Sequence, residues 1–485
     1  MLSRIWGDAK SSFDQESVAI FERWLRSFAV ALLVLGLLIG FTSRTVYSAA
    51  SSKSSFNIPG WVKGRVAYGL WLPTQIPTNQ TTGLAGDYRV RQSDLSTWLE
   101  LDPDFGAGFS AHGKGTFDAI FQTTVVTTSE TVKTGVQATF REGYAQYSRG
   151  SWDLRAGRQI IPWGKSDGIN PTDFLGAKSA YLLWSDEESK RFGSDSVYAN
   201  FVPAGGSSPW GFTLVGTVIY PRSSALVTQE ITGNGVTLQE SDRSPDAVAA
   251  QRGELAAKVS YFGDGFDFDF IAFTGRRHIP QFALGTISLS VPVSAVLSSR
   301  YEQIQALGAN GSYNWRDWQF REEIALTQQS SEETYNPLLK PIYVDSVFGV
   351  ERLFKNKIRA QGQWIYRYFT RFTTPPSTGI GPVPALIIDH LRRTNALIQG
   401  MLYQSRTAFS LRVSYEREGA DVVPEVFLLS YLNPGEGILQ PKLTYSIKNN
   451  WKLAVGAIFF YGPLDQAIGA LNEYSSVYGE LRYLF

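Results

Sequence analysis

The 485-residue chain carries 45 Lys and Arg against 44 Asp and Glu, so its formal charge of +1 offers no basic excess that would indicate nucleic-acid binding. It contains no cysteine, which excludes disulfides, thiolate catalysis, cysteine-ligated zinc, iron–sulfur clusters and covalent c-type haem. Aromatic residues form 14% of the chain and glycine occupies 45 positions, while the mean hydropathy is −0.12. This combination is typical of strands with one apolar and one polar face.

The first 50 residues contain one long apolar run, FAVALLVLGLLIGF at 28–41. The run follows Arg23 and Arg26, leads to small residues ending at Ala50, and is shorter than the roughly 20 residues that a spanning helix needs. We therefore predict a signal peptide at 1–50, which would export the chain, and a short periplasmic lead-in at 51–60. A retained membrane anchor is the alternative, because the segment before the run is long.

From about residue 61 the chain alternates apolar and polar residues over stretches of about ten positions, separated by Gly, Asn, Asp or Pro. In FDFDF at 266–270, for example, the three phenylalanines share one face of a strand and the two aspartates share the other. Short turns alternate with long polar connections, such as 163–193 and 221–251. The pattern predicts an all-β, antiparallel, up-and-down transmembrane barrel at 61–485, with about 16–18 strands, short periplasmic turns and long extracellular loops. A soluble β-sandwich or β-helix is the alternative.

The segment LRAGRQIIPWGKSDGINPTDF at 154–174, with REGYAQYSRG before it, departs from simple alternation. It resembles the early strands of bacterial outer-membrane porin-like barrels, including a group of unassigned function, and more loosely the alginate-export and phosphate-selective porins. The segment 438–462 and the closing Phe485 resemble the last strands of the same group. The resemblance implies a porin-like channel, but it does not indicate the solute.

The connection that begins at Pro162 is a candidate for a loop that bends into the lumen. Pro162 ends ladder pairing, and Asn170 and Pro171 favour a turn. In that case its charged residues would form a constriction and set selectivity. They are Lys165, Asp167 and Asp173, followed by Asp186, Glu187, Glu188, Lys190 and Arg191. An exposed surface loop with solvated charges is the alternative.

Two charged residues break the predicted strand pattern. Arg158 shares the apolar register of Leu154 and Ala156, so we expect either a bulge or a position beyond the apolar band. Glu322 shares the register of Phe320 and Ile324, where a charge at mid-membrane costs a few kcal/mol. A register error or an inward bend is therefore expected near Glu322.

The polar face of the strands predicts the residues that line the pore. The later strands contribute mostly basic residues: Arg359, Arg367, Arg412, Lys442, Lys448, Lys452 and Arg482, against Glu416 and Glu480. The earlier strands contribute Asp153, Asp267 and Asp269 together with Arg155, Lys258 and Arg321. A basic wall favours anions, so a preference for anions is expected. The alternative is that these side chains only bond one another and hydrate the pore.

The last strand places Val477, Leu481, Tyr483 and Phe485 on one face, which we predict to touch lipid and to be read by the barrel-assembly machinery. The three histidines, His112, His278 and His390, lack metal-ligand spacing, so no metal site or cofactor is expected.

The sequence thus favours an outer-membrane porin or channel, without a chemical step, that passes small hydrophilic solutes. We expect it to contact outer-membrane lipid, not to bind nucleic acid, and to be able to form homo-oligomers. A barrel scaffold for an export or electron-transfer partner and an outer-membrane hydrolase are the alternatives.

Overall fold

The computed structural model describes residues 62–73, 89–126, 129–178, 191–219, 230–233, 236–241, 253–279, 281–288, 293–330, 342–355, 357–370, 372, 374, 389, 391–393, 395–397, 400–415, 421–447 and 450–485. These residues belong to one compact unit at 61–485. The predicted signal peptide and lead-in lie outside the described residues. Among the helices in the described part of the chain, none has both the length and the hydrophobicity to cross a bilayer.

Eighteen long strands form the wall of the molecule. In chain order they are β1 Val62–Pro73, β2 Arg89–Leu101, β3 Phe109–Val126, β4 Ser129–Arg149, β5 Trp152–Gln159, β6 Ser194–Phe201, β7 Trp210–Ile219, β8 Glu254–Phe262, β9 Phe266–Arg276, β10 Gln303–Trp315, β11 Trp318–Ser330, β12 Ile342–Leu353, β13 Ile358–Phe369, β14 Ser405–Tyr415, β15 Val422–Tyr431, β16 Glu436–Ile447, β17 Trp451–Tyr461 and β18 Ser476–Leu484. Single 3-10 turns lie at Ala204–Gly206 and Gly469–Tyr474.

Each strand pairs antiparallel with its neighbours in this order, and β1 pairs with β18, so the sheet closes on itself. At the closure, Gly64 N donates to Phe485 O at 2.8 Å and Phe485 N donates to Gly64 O at 2.9 Å. A closed ring leaves no free sheet edge, which is what a strand-built wall needs in order to cross a membrane. The predicted antiparallel transmembrane barrel of 16–18 strands is confirmed, with 18.

The Phe485 ring covers Gly64 at this closure, and a Cβ on Gly64 would lie 2.1 Å from the ring. We expect Gly64→Val to displace the ring and to destabilise the barrel by about 1–3 kcal/mol, as overpacking does. The measurement is the temperature at which the purified barrel loses its compact electrophoretic mobility. Gly479→Val is the matched control, because a Cβ on Gly479 meets nothing within 4 Å. Equal loss in both variants would contradict the closure contact.

The two faces of the wall differ as the alternation predicts. Large apolar side chains point outward and are exposed, among them Phe270 at 59% and Leu307 at 62%. Aromatic pairs on this face lie near the short turns, for example Trp152 with Phe201 and Trp451 with Tyr483. Because such a surface is unfavourable in water but not in lipid, the outer face is the membrane-facing one. The inner face carries polar residues.

The position of Glu322 differs from the prediction. The pairing of β11 with β10 and β12 runs without a shift, with Glu322 opposite Gly311 and Phe348, and its side chain is exposed on the outer face. The predicted register error or inward bend is therefore wrong. The physical reason lies in the next residue: a shift of one position would turn Glu323 outward, and Glu323 is fully buried on the inner side.

Arg158 also keeps its register, since β5 pairs with β4 and β6 without a bulge. Its side chain shares the outer face with Asp195 of β6, to which its Nε and Nη2 donate at 2.7 and 2.8 Å. The bidentate ion pair neutralises the arginine charge. The bulge is absent from the pairing of β5, whereas the other explanation, a position beyond the apolar band, stays a prediction.

The connections differ between the two ends of the barrel. At the end that holds Val62 and Phe485 the strands join by short turns, and most connections at the other end are long. Two of the long connections contain strands: Glu230–Gly233, Val236–Ser241, Gln281–Ser288 and Val293–Arg300 form a separate four-stranded sheet. At the long-loop end, β3 and β4 are nevertheless separated by only two residues and β15 and β16 by only four.

Candidate functional site

The segment 160–178, which follows β5, crosses the interior of the barrel. Asp167 Oδ2 accepts a hydrogen bond from Arg412 Nε at 2.6 Å, and Arg412 lies on β14. In a ring of 18 strands, β14 is nine positions from β5, which places it on the opposite wall. The segment therefore reaches across the lumen; it does not stay near the strand from which it begins.

The segment also descends far along the barrel axis. It contacts Asp267 and Arg412, which lie one and three residues from the short-turn ends of β9 and β14. The strands are 11 residues long here. Because the segment enters from the long-loop end, these contacts place it well inside the membrane-facing wall.

An apolar cluster fixes one side of the segment. Trp163, which is 4% exposed, packs with Ile161 and Leu175 against inward-facing apolar residues of the wall. Those wall residues are Val215, Ala256, Ile271, Phe273, Ile304 and Ala306, on β7 to β10. Phe174 stacks on Phe273 with ring centroids 5.5 Å apart. Burial of these side chains holds the segment to the inner wall by the hydrophobic effect.

On the next strand, β11, the buried carboxylate of Glu323 holds the segment through hydrogen bonds. Its Oε1 accepts hydrogen bonds from the backbone N–H groups of Lys165 and Ser166, the latter at 2.5 Å. Its Oε2 accepts from Thr172 N at 3.3 Å and from Thr172 Oγ1 at 2.8 Å. Gly164 adopts a φ of 98°, and a Cβ there would lie 3.0 Å from Glu323 Oε1. The carboxylate thus binds two separate turns of the segment at once.

Side-chain ion pairs complete the attachment. Lys165 Nζ donates to Asp267 Oδ1 at 2.7 Å and lies 3.6 Å from Asp269 Oδ2. Four strands further along the wall, the Gln363 amide of β13 accepts from Asp167 N at 2.8 Å and donates to Asp167 O at 2.9 Å, with its orientation assigned from these neighbours. Lys165 and Asp167 are therefore bound to different parts of the wall, four to five strands apart in the ring.

A polar cavity of about 360 Å³ lies between the segment and the wall. Two basic and two acidic residues contribute to its lining, together with neutral polar ones. The lining residues are Lys165, Ser166, Asp167, Asp267, Ser312, Gln319, Arg321 and Gln361. Charges of both signs facing one polar cavity create a transverse field.

Three further inward-facing glutamates accept backbone N–H groups at the end of a strand or within the connection that follows it, as Glu323 does. Glu142 accepts from Ile160 N at 3.0 Å, and Glu254 accepts from Arg276 N at 3.2 Å. Glu436, which is fully buried, accepts from Ile468 N at 2.7 Å and Gly469 N at 3.1 Å. Wall carboxylates that receive backbone N–H groups are thus a recurring way of attaching loops in this barrel.

Most of the predicted basic wall is paired with carboxylates. Arg321 and Arg359 both bind Glu351, and Arg412 and Lys442 both bind Glu425, at 2.9 and 3.0 Å for the last two. The other pairs are Arg367 with Asp345, Arg482 with Glu480 and Arg155 with Asp153. Glu351, Glu425 and Asp345 were not among the sequence-predicted lining residues, so the charge of the wall is closer to balanced than the sequence suggested.

The remaining predicted residues have other surroundings. Lys258 lies on the inner face with its Nζ 5.4 Å from the centre of the Trp163 ring, and Lys452 is exposed on the inner face of β17. Asp173 braces the segment itself, since it accepts from Trp163 N at 3.2 Å and from Arg191 Nη1 at 2.7 Å. Lys448, Glu416, His390 and the charged residues at 186–190 lie outside the described residues.

Sequence reasoning missed the two anchors of the segment, Glu323 and the apolar wall patch. A signal for the patch exists in FIAF at 270–273, where four apolar residues in a row place Ile271 and Phe273 on the otherwise polar inner face. No comparable signal marks Glu323, because an inward glutamate is ordinary in a water-filled barrel.

No protein-family model matches the chain, and no curated protein sequence matches it. Solved structures that it resembles include OccK7 (OpdD) and OprD of Pseudomonas aeruginosa, and OmpF of Salmonella typhi in a complex with daunomycin. Identities are 8%, 7% and 9%, and TM-scores are 0.47, 0.46 and 0.38. Each match covers 87% of this chain and 97%, 94% and 97% of the other. The assignment of the fold rests on the closed ring of strand pairs.

Proposed function

We propose that this protein is an outer-membrane channel for the passive passage of small hydrophilic solutes, and that the segment 160–178 is its constriction. The observation that carries the proposal is the path of this segment, from the end of β5 to Arg412 on the opposite wall. A segment that crosses the lumen deep inside a closed barrel limits the size of what passes.

The chemistry of the constriction supports polar solutes. Its cavity is lined only by charged and polar side chains, with Lys165 and Arg321 facing Asp167 and Asp267. Such a lining replaces part of a solute's hydration shell with hydrogen bonds and orients a dipolar solute. No chemical step is part of the proposal.

The finer proposal is a modest preference for anions. Lys258 and Lys452 add positive charge to the inner face, and Glu351 serves two basic side chains, Arg321 and Arg359. A carboxylate shared by two cations leaves a local positive excess. We propose the same lumen-lining residues as in the sequence analysis. Among them, Arg321 and Arg412 should have the largest effect on selectivity, because they lie at the constriction.

The apolar outer face supports a location in the outer membrane, reached by export through a signal peptide. There, the Phe485 end of β18 would be the feature that the barrel-assembly machinery reads, and the outer face could also meet a second copy of the barrel. The assembly machinery and a second copy of the barrel are thus the partners that we propose.

Conductance in planar bilayers tests the channel directly. We expect the purified full-length protein to give stepwise ionic currents, and reversal potentials in a KCl gradient to indicate a slight excess of chloride permeability. The absence of current steps from protein with intact heat-modifiable mobility would contradict the channel. Currents with a cation preference would leave the channel but overturn the anion preference.

A further inference from the structure

A cluster of side chains of the types that bind metal ions lies on the inner face near the short-turn end, outside the segment 160–178. Glu100 is the next-to-last residue of β2, Asp102 follows that strand, and His112 lies on the neighbouring β3. One carboxylate oxygen of each acid and one ring nitrogen of the histidine all lie within 4.8 Å of one another. Three ligand atoms at this spacing can be bridged by a single ion.

The imidazole of His112 is oriented as a metal-binding histidine is. Its Nδ1 lies 2.5 Å from Asp102 Oδ1, and its Nε2 lies 3.6 Å from Glu142 Oε2. Metal-bound histidines usually direct the second ring nitrogen at a carboxylate, which fixes the tautomer and the ring. Tyr144 stacks on the ring at 5.0 Å, and Glu142 is itself held by Ile160 N at 3.0 Å.

A cation already occupies the space between the two acids. Lys63 Nζ lies 3.0 Å from Asp102 Oδ2 and 3.4 Å from Glu100 Oε1. The Lys63 side chain is 62% exposed, so it can swing into water at little cost. The cluster therefore accommodates positive charge between its carboxylates, and a stronger cation can displace the ammonium group.

We propose that Glu100, Asp102 and His112 form a binding site for a divalent transition-metal ion of the Zn²⁺ type, with Lys63 as a built-in competitor. One imidazole and two carboxylates suit Zn²⁺ better than Mg²⁺ or Ca²⁺, which prefer oxygen ligands alone. Glu142 acts as a positioning residue, since it contacts the ligand His112 but lies outside the three-ligand set. No metal site was expected from the sequence, because the three histidines lack the spacing of a metal-binding pair. The register of β2 with β3 instead brings a single histidine close to two acidic residues.

Calorimetric titration of the full-length, chelator-treated protein with Zn²⁺ tests the site. We expect one ion per chain for the wild type, and an affinity several-fold higher for Lys63→Ala because the competitor is gone. His112→Ala should lose the stoichiometric binding, and Glu142→Gln should weaken it by about 10–100-fold. Asp104→Asn is the matched control, since this exposed acid lies two residues from Asp102 but outside the ligand set, and its affinity should equal that of the wild type.

Two results would overturn the proposal. One is the lack of stoichiometric Zn²⁺ binding by Lys63→Ala protein that keeps its heat-modifiable mobility. The other is binding of equal strength in folded His112→Ala protein, which would show adventitious binding elsewhere. Neither result bears on the channel, because bilayer conductance is measured separately and in the presence of a chelator.

Discussion

Glu323→Ala should raise the single-channel conductance by about twofold or more, because the constriction loses its polar anchor. The change leaves the N–H groups of Lys165, Ser166 and Thr172 and the Thr172 hydroxyl without their buried acceptor. Each buried donor without a partner costs roughly 1–3 kcal/mol, so the segment gains free energy by moving to where water can bind it. The wall should persist, since β11 pairs through its backbone.

Glu322→Ala is the control for this prediction. It removes the same side chain one position earlier on the same strand, but from the outer face, and its conductance should stay at the wild-type value. The measurement is single-channel conductance in planar bilayers together with the melting of the barrel by circular dichroism. Equal conductance in Glu323→Ala and Glu322→Ala proteins would show that Glu323 does not hold the segment in the lumen.

Arg321→Glu should shift ion selectivity toward cations by about three- to tenfold in the permeability ratio. The charged residues of the cavity are two basic and two acidic, and the substitution leaves one basic and three acidic residues. Two unit charges about 4 Å apart interact by about 1 kcal/mol in water, and 1.4 kcal/mol corresponds to a factor of ten. Glu351 keeps Arg359 as a partner, so the wall should tolerate the change.

Reversal potentials in a KCl gradient measure this effect. Arg321→Gln changes half as much charge and should give about half the shift in the logarithm of the ratio. Lys355→Glu is the control, because Lys355 is exposed in the short turn after β12 and does not line the cavity. A selectivity that is the same in all three variants and the wild type would place the controlling charges elsewhere in the lumen.

The wall of the barrel could be predicted from the sequence because side chains alternate with a period of two. Phe268 and Asp267 had to face opposite sides, whatever the partners of their strand. The pairing between strands is not fixed in that way. Whether Arg412 meets Glu425 or Arg321 meets Glu351 depends on which residues lie side by side in the closed ring, and this excess of ion pairs was therefore not foreseen.

The path of the segment 160–178 was harder to predict for a different reason. The segment is attached to inward-facing apolar residues such as Ile271. Such residues are not expected in a barrel whose inner face is polar and whose outer face is apolar. Arg158 and Glu322 show the same limitation on the outer face: one is neutralised by Asp195, and the other stays outward because its neighbour is needed inside.

The wall glutamates accept hydrogen bonds mainly from main-chain N–H groups. This affects how the sequence of such a channel can change during evolution. Every amino acid except proline supplies that donor, so loop residues can be exchanged over evolutionary time while the route of the loop is preserved. The same scaffold could thus acquire new solute preferences by drift in loop side chains, with the four glutamates as its slowly changing positions.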